Sequence, residues 1–95
     1  MNEKKYNGWH NYHTWCINLH LTNNERVYKM IMDYKEQLER DGASGKQLIY
    51  DLASFISEYV EQYFIDNAEL FIIADILGYA LVECNFIEIA ESFCE

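Results

Sequence analysis

The chain contains no proline, and this absence constrains its fold more than any other feature. Proline is the residue that most strongly breaks or ends helices. Glycine, the other common breaker, occurs at only four positions, namely 8, 42, 45 and 78. Because 51% of the residues are apolar and 16% are aromatic, the composition supports a folded core and excludes a disordered chain. The sequence therefore predicts long helices with few irregular connections.

Apolar residues recur at helical spacing through most of the chain. The expected helices are 12–21, 25–39, 46–65, 68–83 and 86–93. Asn11 or Thr14 caps the first helix, and Asn85 caps the last. Gly42 is expected to end the second helix in a left-handed conformation. The helix at 68–83 is apolar on nearly all sides, which predicts a central position.

These elements predict an all-α fold, a single compact bundle of four to five helices that forms one domain over residues 1–95. Ninety-five residues suit one domain of modest size. A β-hairpin near residues 4–10 stays open as a local alternative.

Charge divides the chain into two unlike halves. Residues 1–46 hold seven Lys and Arg against six Asp and Glu, so this aromatic half is nearly neutral at +1. Residues 47–95 hold ten carboxylates and no Lys, Arg or His, which gives −10 and a total of −9. Such segregation indicates a basic partner for the acidic helical half.

The acidic residues fall on two helix faces and near the ends of another helix. Asp51, Glu58 and Glu61 share one side of the helix at 46–65, and Glu88, Glu91 and Glu95 share one side of the last helix. Asp66, Glu69 and Glu83 lie at or near the ends of the helix at 68–83. Residues three, four or seven apart lie about 4.5, 6 or 10.5 Å apart along a helix axis, which is the scale of phosphate spacing in nucleic acids. A solvated acidic surface is the alternative interpretation. Direct nucleic-acid binding by this half is disfavoured because the charges would repel. The predicted partner-binding residues are Asp51, Glu58, Glu61, Asp66, Glu69, Glu83, Glu88, Glu91 and Glu95.

Aromatic residues crowd the N-terminus. Trp9, Tyr12 and Trp15 follow one another at intervals of three, and Tyr6 precedes them. Large rings at this spacing most often pack in a core. A partner-facing aromatic surface made by these four residues is the alternative.

Two stretches carry a resemblance to known proteins. Residues 6–15 read Y-N-G-W-H-N-Y-H-T-W, and residues 86–91 read F-I-E-I-A-E. Both resemble segments of small phage and mobile-element proteins, although His13 stands where Glu is common and His20 where Trp is common. The resemblance implies a phage or plasmid origin. Small acidic proteins from such elements often resemble anti-CRISPR and antirestriction proteins.

Catalytic and metal chemistry is not indicated. The spacing H-x2-H-x2-C-x3-H places His10, His13, Cys16 and His20 near one another, but a single helix cannot readily surround a tetrahedral zinc ion. No phosphate-binding loop or nucleophile elbow occurs, and both candidate serines, at 54 and 57, follow the last histidine. We therefore expect no catalytic residue, no metal and no cofactor.

These features together predict an inhibitor of a host nucleic-acid-binding defence protein, such as a CRISPR effector, that acts by acidic mimicry of nucleic acid. The alternative is a non-enzymatic interaction module that binds through its aromatic N-terminal segment. The polar N-terminus and the short apolar run at 70–82, interrupted by Asp75, predict a protein of the host cytoplasm without a membrane span. A homodimer formed through the near-neutral half is a further hypothesis.

Overall fold

The computed structural model describes residues 6–66 and 83–95, and within these ranges the chain is an all-α bundle. The helices are α1 (Tyr12–Asn23), α2 (Glu25–Arg40), α3 (Gly45–Asp66) and α4 (Phe86–Phe93). The all-α prediction is confirmed, and the predicted bounds of these helices agree to within two residues at each end. The helix predicted over 68–83 lies outside the described residues, except for Glu83.

Three of the helices begin with an asparagine cap. The side-chain oxygens of Asn11, Asn24 and Asn85 each accept the backbone N–H of the residue three positions later, at 2.9, 3.1 and 3.0 Å. Each bond satisfies one of the donors that a helix N-terminus leaves unpaired. The choice between Asn11 and Thr14 is thereby settled in favour of Asn11, to which the Thr14 hydroxyl donates at 2.7 Å.

Gly42 ends α2, as the sequence predicts. Its φ of 101° lies in the left-handed region that favours glycine. The Gly42 N–H donates to the Glu39 carbonyl at 3.0 Å, and the Ala43 N–H donates to the Leu38 carbonyl at 2.9 Å. This pair of bonds is a Schellman motif, which satisfies the last carbonyls of a helix.

A tight turn precedes α1. Asn7 and Gly8 both have positive φ angles, 47° and 87°. Tyr6 and Trp9 exchange backbone hydrogen bonds across them, at 3.0 and 2.7 Å. Two positive φ angles define a type I′ turn, for which Asn-Gly is the preferred sequence. The alternative left open by the sequence was a β-hairpin near residues 4–10. In the described part of that segment the structure has a single antiparallel bridge, between Tyr6 and Trp9.

Helix α3 packs against both α2 and α4. The Tyr34 and Phe55 rings stack between α2 and α3 with centroids 4.0 Å apart, and the Tyr28 and Phe93 rings meet between α2 and α4 at 5.5 Å. Burial of this apolar area is the main source of stability for such a bundle. The buried core residues are Ile17, Leu21, Ile31, Leu52, Ala53, Ile56, Val60, Ile89, Ala90 and Phe93.

Candidate interaction surfaces

The beginnings of α1 and α4 meet in the fold although they are 71 residues or more apart in sequence. The buried Thr14 hydroxyl accepts the backbone N–H of Asn85 at 2.9 Å. The Asn11 amide donates to the Glu83 carbonyl at 2.8 Å. We call this network, together with the contact of Glu88 described next, the clasp. It fixes the start of the chain's first helix against its last.

Glu88 belongs to the clasp and not to an exposed acidic row. Only 8% of this residue is exposed, and its carboxylate accepts the backbone N–H of His10 at 2.9 Å. The sequence placed it beside Glu91 and Glu95 on a partner-binding face, so this expectation is corrected. A buried carboxylate needs hydrogen-bond donors, and a position in the first turn of α4 also favours negative charge.

In the clasp, each of the two helices accepts a hydrogen bond from the backbone at the start of the other helix. In an ordinary capping box, the third residue of a helix reaches back to the N–H of its own cap. Here the hydroxyl of Thr14, the third residue of α1, accepts a hydrogen bond from the backbone N–H of Asn85, which caps α4. The carboxylate of Glu88, the third residue of α4, accepts a hydrogen bond from the backbone N–H of His10, the residue before the α1 cap. The patterns N-x-x-T at 11–14 and N-x-x-E at 85–88 are the sequence signals. The first lies within residues 6–15 and the second overlaps residues 86–91, the two stretches that carry the resemblance.

The two cysteines that pack against the core, Cys84 and Cys94, are neutral thiols at neutral pH. Burial raises the pKa of Cys84 to about 12, while its hydrogen bond with Thr14 acts in the opposite direction and the charge of Glu88 adds to the increase. Burial also raises the pKa of Cys94. Both residues pack against the core, and neither is an activated nucleophile. All three cysteines are unpaired thiols.

The predicted acidic row on α3 is present on the outer side of the bundle. Of the predicted row, Glu58 and Glu61 are exposed and Asp51 is half-buried. Asp66, which the sequence placed at an end of the next helix, is the exposed last residue of α3 and joins this row. The amide of Gln47 donates to Asp51 at 2.9 Å, and the amide of Gln62 donates to Asp66 at 2.8 Å. No Lys or Arg among the described residues pairs with any of the four carboxylates. The glutamine amides therefore orient Asp51 and Asp66 without neutralising their negative charge.

The other predicted acidic residues do not extend this row in one line. Glu83 is exposed at the clasp, and Glu91 and Glu95 are exposed on and after α4. Glu91 and Lys35 of α2 both act electrostatically on the Cys94 thiol, so this part of α4 faces α2. Glu69 lies outside the described residues. The α3 row is thus the coherent acidic surface of the described chain.

The predicted aromatic residues divide between core and surface. Trp9 is half-buried and packs against the core. Tyr6, Tyr12 and Trp15 form a cluster with ring centroids 5.0 to 5.9 Å apart. Tyr6 is 37% exposed and Tyr12 is 49% exposed. We call these three residues the aromatic cluster, and it presents apolar rings to solvent.

A groove of about 380 Å³ runs between α1 and α3. His13, Cys16 and His20 line its α1 side, but no three His, Cys, Asp or Glu side chains of the described residues are placed to hold a metal ion. The wall on α3 includes Tyr59 and Tyr63. We call it the α1–α3 groove.

A second, open depression of about 640 Å³ borders α3 and the start of α4. It brings His10 near Ser54 and Ser57, which sequence spacing alone did not suggest. Within the described ranges, no hydrogen bond joins the His10 ring to either serine. These residues thus form no linked nucleophile and base of the kind that acyl transfer needs.

The fold and these surfaces define a small all-α protein with an acidic helix face and an exposed aromatic cluster. No helix within residues 6–66 and 83–95 has the length and apolar character needed to cross a membrane. The chain belongs to a family of unknown function, DUF7249, whose model matches residues 2–92. No curated protein and no solved structure matches it.

Proposed function

We propose that this protein is a non-enzymatic inhibitor of phage or mobile-element origin that acts in the host cytoplasm. Its target is a basic nucleic-acid-binding defence protein of the host. A CRISPR effector is the first candidate target, and a restriction enzyme is the second. The acidic face of α3 occupies the channel in which the target binds DNA or RNA.

The observation that carries this proposal is the row of carboxylates on α3 that no cation of the described chain neutralises. From Asp51 to Glu58 and on to Glu61, the rise of an α-helix gives separations of about 10.5 and 4.5 Å along the axis. Phosphates of a nucleic-acid backbone are spaced on the same scale. A groove of Lys and Arg that binds phosphates would find a comparable pattern of charge here.

Electrostatics would also make such binding fast and selective for basic surfaces. A net charge of −9 on 95 residues attracts a basic channel over long range. Association would release counterions from both surfaces, as it does for nucleic acids. Binding should therefore weaken steeply as salt is raised.

The test is competition for DNA in a panel of purified CRISPR effector complexes and restriction enzymes. Labelled DNA should be displaced from one of them by the wild-type protein. Glu58→Gln with Glu61→Gln should reduce that displacement. Glu25→Gln with Asp33→Asn is the matched control, because it removes the same charge from exposed residues of α2. Equal loss in both double variants, or no displacement by the wild type, would contradict the proposal.

The aromatic cluster favours a second candidate function. Exposed rings that contact one another are typical of protein interfaces, where aromatic residues contribute much of the binding energy. Leu19, one turn beyond Trp15, is 38% exposed and extends the apolar surface. The protein would then be an interaction module, and its acidic half would only solvate it.

Salt separates the two candidates. Binding through the aromatic cluster should persist at high salt and should be lost in a Tyr12→Ser, Leu19→Ser double variant. Residues 6–24 contain no Lys, Arg, Asp or Glu, so a homodimer through this surface would avoid repulsion between acidic halves. Light scattering at several dilutions tests that hypothesis, and a mass of 11.3 kDa at all of them contradicts it.

A further inference from the structure

Among the residues that the structure describes, those that line the α1–α3 groove include aromatic rings but no Asp, Glu, Lys or Arg. Tyr12, Tyr59 and Tyr63 are among these lining residues. Since 24% of the chain is charged, this absence distinguishes the groove from the surface around it. Its volume of about 380 Å³ lies within the range of ligand-binding clefts.

The rings on α3 form an aromatic wall. The centroids of Tyr59 and Tyr63 lie 6.5 Å apart and their planes differ by 28°, so the two rings are close to parallel. Tyr63 is 54% exposed, which makes this wall reachable from solvent. Tyr12 stands on the α1 side of the same groove.

Charge selects the kind of group that fits. The face of an aromatic ring is negative and attracts cations. Asp66 is exposed one helical turn beyond Tyr63, and the molecule carries −9 overall. An anion would be repelled by this field, and a neutral apolar group would gain nothing from it. Among cationic side chains, arginine stacks best because its guanidinium is planar and weakly hydrated.

We propose that the α1–α3 groove receives an arginine side chain of the basic partner. This inference rests on the proposed function, since it takes the partner to be basic, and it names the contact that anchors that partner. The α3 row supplies long-range attraction, and the tyrosine wall supplies the short-range contact.

The probes are nona-arginine and nona-lysine peptides, titrated calorimetrically into the full chain. Tyr63→Leu removes the ring but keeps an apolar side chain. Tyr50→Leu is the matched control, because Tyr50 is also on α3 and 50% exposed but does not line the groove. We expect nona-arginine to bind Tyr63→Leu about 5- to 10-fold more weakly than wild type, as one cation–π contact implies. Tyr50→Leu and Tyr63→Phe should stay within about twofold of wild type, since Phe keeps the ring.

The remaining comparisons separate this inference from the proposed function. The ratio of the nona-arginine affinities of wild type and Tyr63→Leu should persist at high salt. The corresponding ratio for nona-lysine should be smaller. Equal affinities of wild type and Tyr63→Leu overturn the groove and leave the α3 face standing. If Glu58→Gln with Glu61→Gln binds as wild type does while Tyr63→Leu does not, the proposed function fails and the groove remains. Failure of wild type to bind nona-arginine overturns both. Thermal melts by circular dichroism establish that each variant is folded.

Discussion

Helices α2 and α3 lie against each other in the bundle but treat charge in opposite ways. Helix α2 carries four carboxylates and four cations and is neutral, whereas α3 carries four carboxylates and one lysine. On α2, Lys35 pairs with Glu39 at 3.6 Å and Arg40 pairs with Glu36 at 3.7 Å. On α3, glutamine amides occupy the equivalent positions four residues before Asp51 and Asp66.

This difference is not required for helix stability. Pairs four residues apart contribute similar small amounts whether a cation or a glutamine faces the carboxylate, about 0.2–0.5 kcal/mol each. On α2 the partner four residues away is a cation, which neutralises the carboxylate. On α3 the partner four residues away is a glutamine, which leaves the negative charge in place. Charge that folding does not need is available for a partner, and for this reason the proposed partner-binding role falls on α3.

The largest expected effect comes from reversing the charge of α3. Glu58→Lys with Glu61→Lys changes four units of charge at exposed positions. At about 0.5–1 kcal/mol per unit, the lost attraction is about 2–4 kcal/mol, or 30-fold or more in affinity at low salt. The competition assay measures this effect. The free energy of unfolding should change by less than about 1 kcal/mol, since exposed charges contribute little to stability.

The same reversal on α2 is the control. Glu25→Lys with Asp33→Lys changes the net charge equally at exposed residues of the neutral helix. It should reduce affinity far less, because only the long-range attraction falls. Similar losses from the two helices would show that net charge alone matters and that α3 has no special role.

A second contrast separates the carboxylate that the fold uses from one that it does not. Glu88→Ala leaves the His10 N–H of the clasp without its acceptor, which costs about 1–3 kcal/mol. Glu91→Ala, three residues later and exposed, should stay within about 0.5 kcal/mol of wild type. Urea unfolding measures both. Equal stability of the two variants would contradict the assignment of Glu88 to the clasp.

The contrast between these two glutamates also shows what sequence could predict here. Local signals such as Gly42 and Asn85 predict helix ends, because capping depends on nearby residues. The burial of Glu88 depends on His10, which is 78 residues away, so helical periodicity grouped it with the exposed carboxylates. The sequence predicts Asn85 as one cap and either Asn11 or Thr14 as another, but nothing local shows that the two helices exchange hydrogen-bond partners.

Alkaline pH tests the burial of Cys84, the residue that precedes Asn85 of the clasp. Burial raises the pKa of the Cys84 thiol from its ordinary value of 9.0 in the unfolded chain to about 12 in the folded protein. Its contribution to stability is fully present below pH 9 and is lost as pH rises through about 12, because only the unfolded chain then releases the proton readily.

Unfolding in urea from pH 8 upward tests this expectation. Cys84→Ala is less stable than wild type at pH 8 because it loses a packed side chain, and the difference should narrow as pH rises. Effects of pH on groups that both proteins share cancel from the difference. A gap that stays constant with pH would show that Cys84 is not protected by burial.

The smallest expected effect comes from giving α3 the charge pairing of α2. Gln62→Lys places a cation four residues after Glu58 and four before Asp66 without removing either carboxylate. We expect stability to rise by about 0.2–0.5 kcal/mol, chiefly through Glu58, since a glutamate N-terminal to a lysine is the better order. Partner affinity should nevertheless fall two- to fivefold, by about 0.5–1 kcal/mol, because part of the row is neutralised. Gln37→Lys is the matched control, since it places the same charge on α2, four residues before Asp41, which directly follows that helix. A variant that becomes more stable and binds less well, beside a control that keeps its affinity, would separate the charge of α3 from its fold. If Gln62→Lys binds as tightly as wild type, the unneutralised state of α3 has no bearing on function.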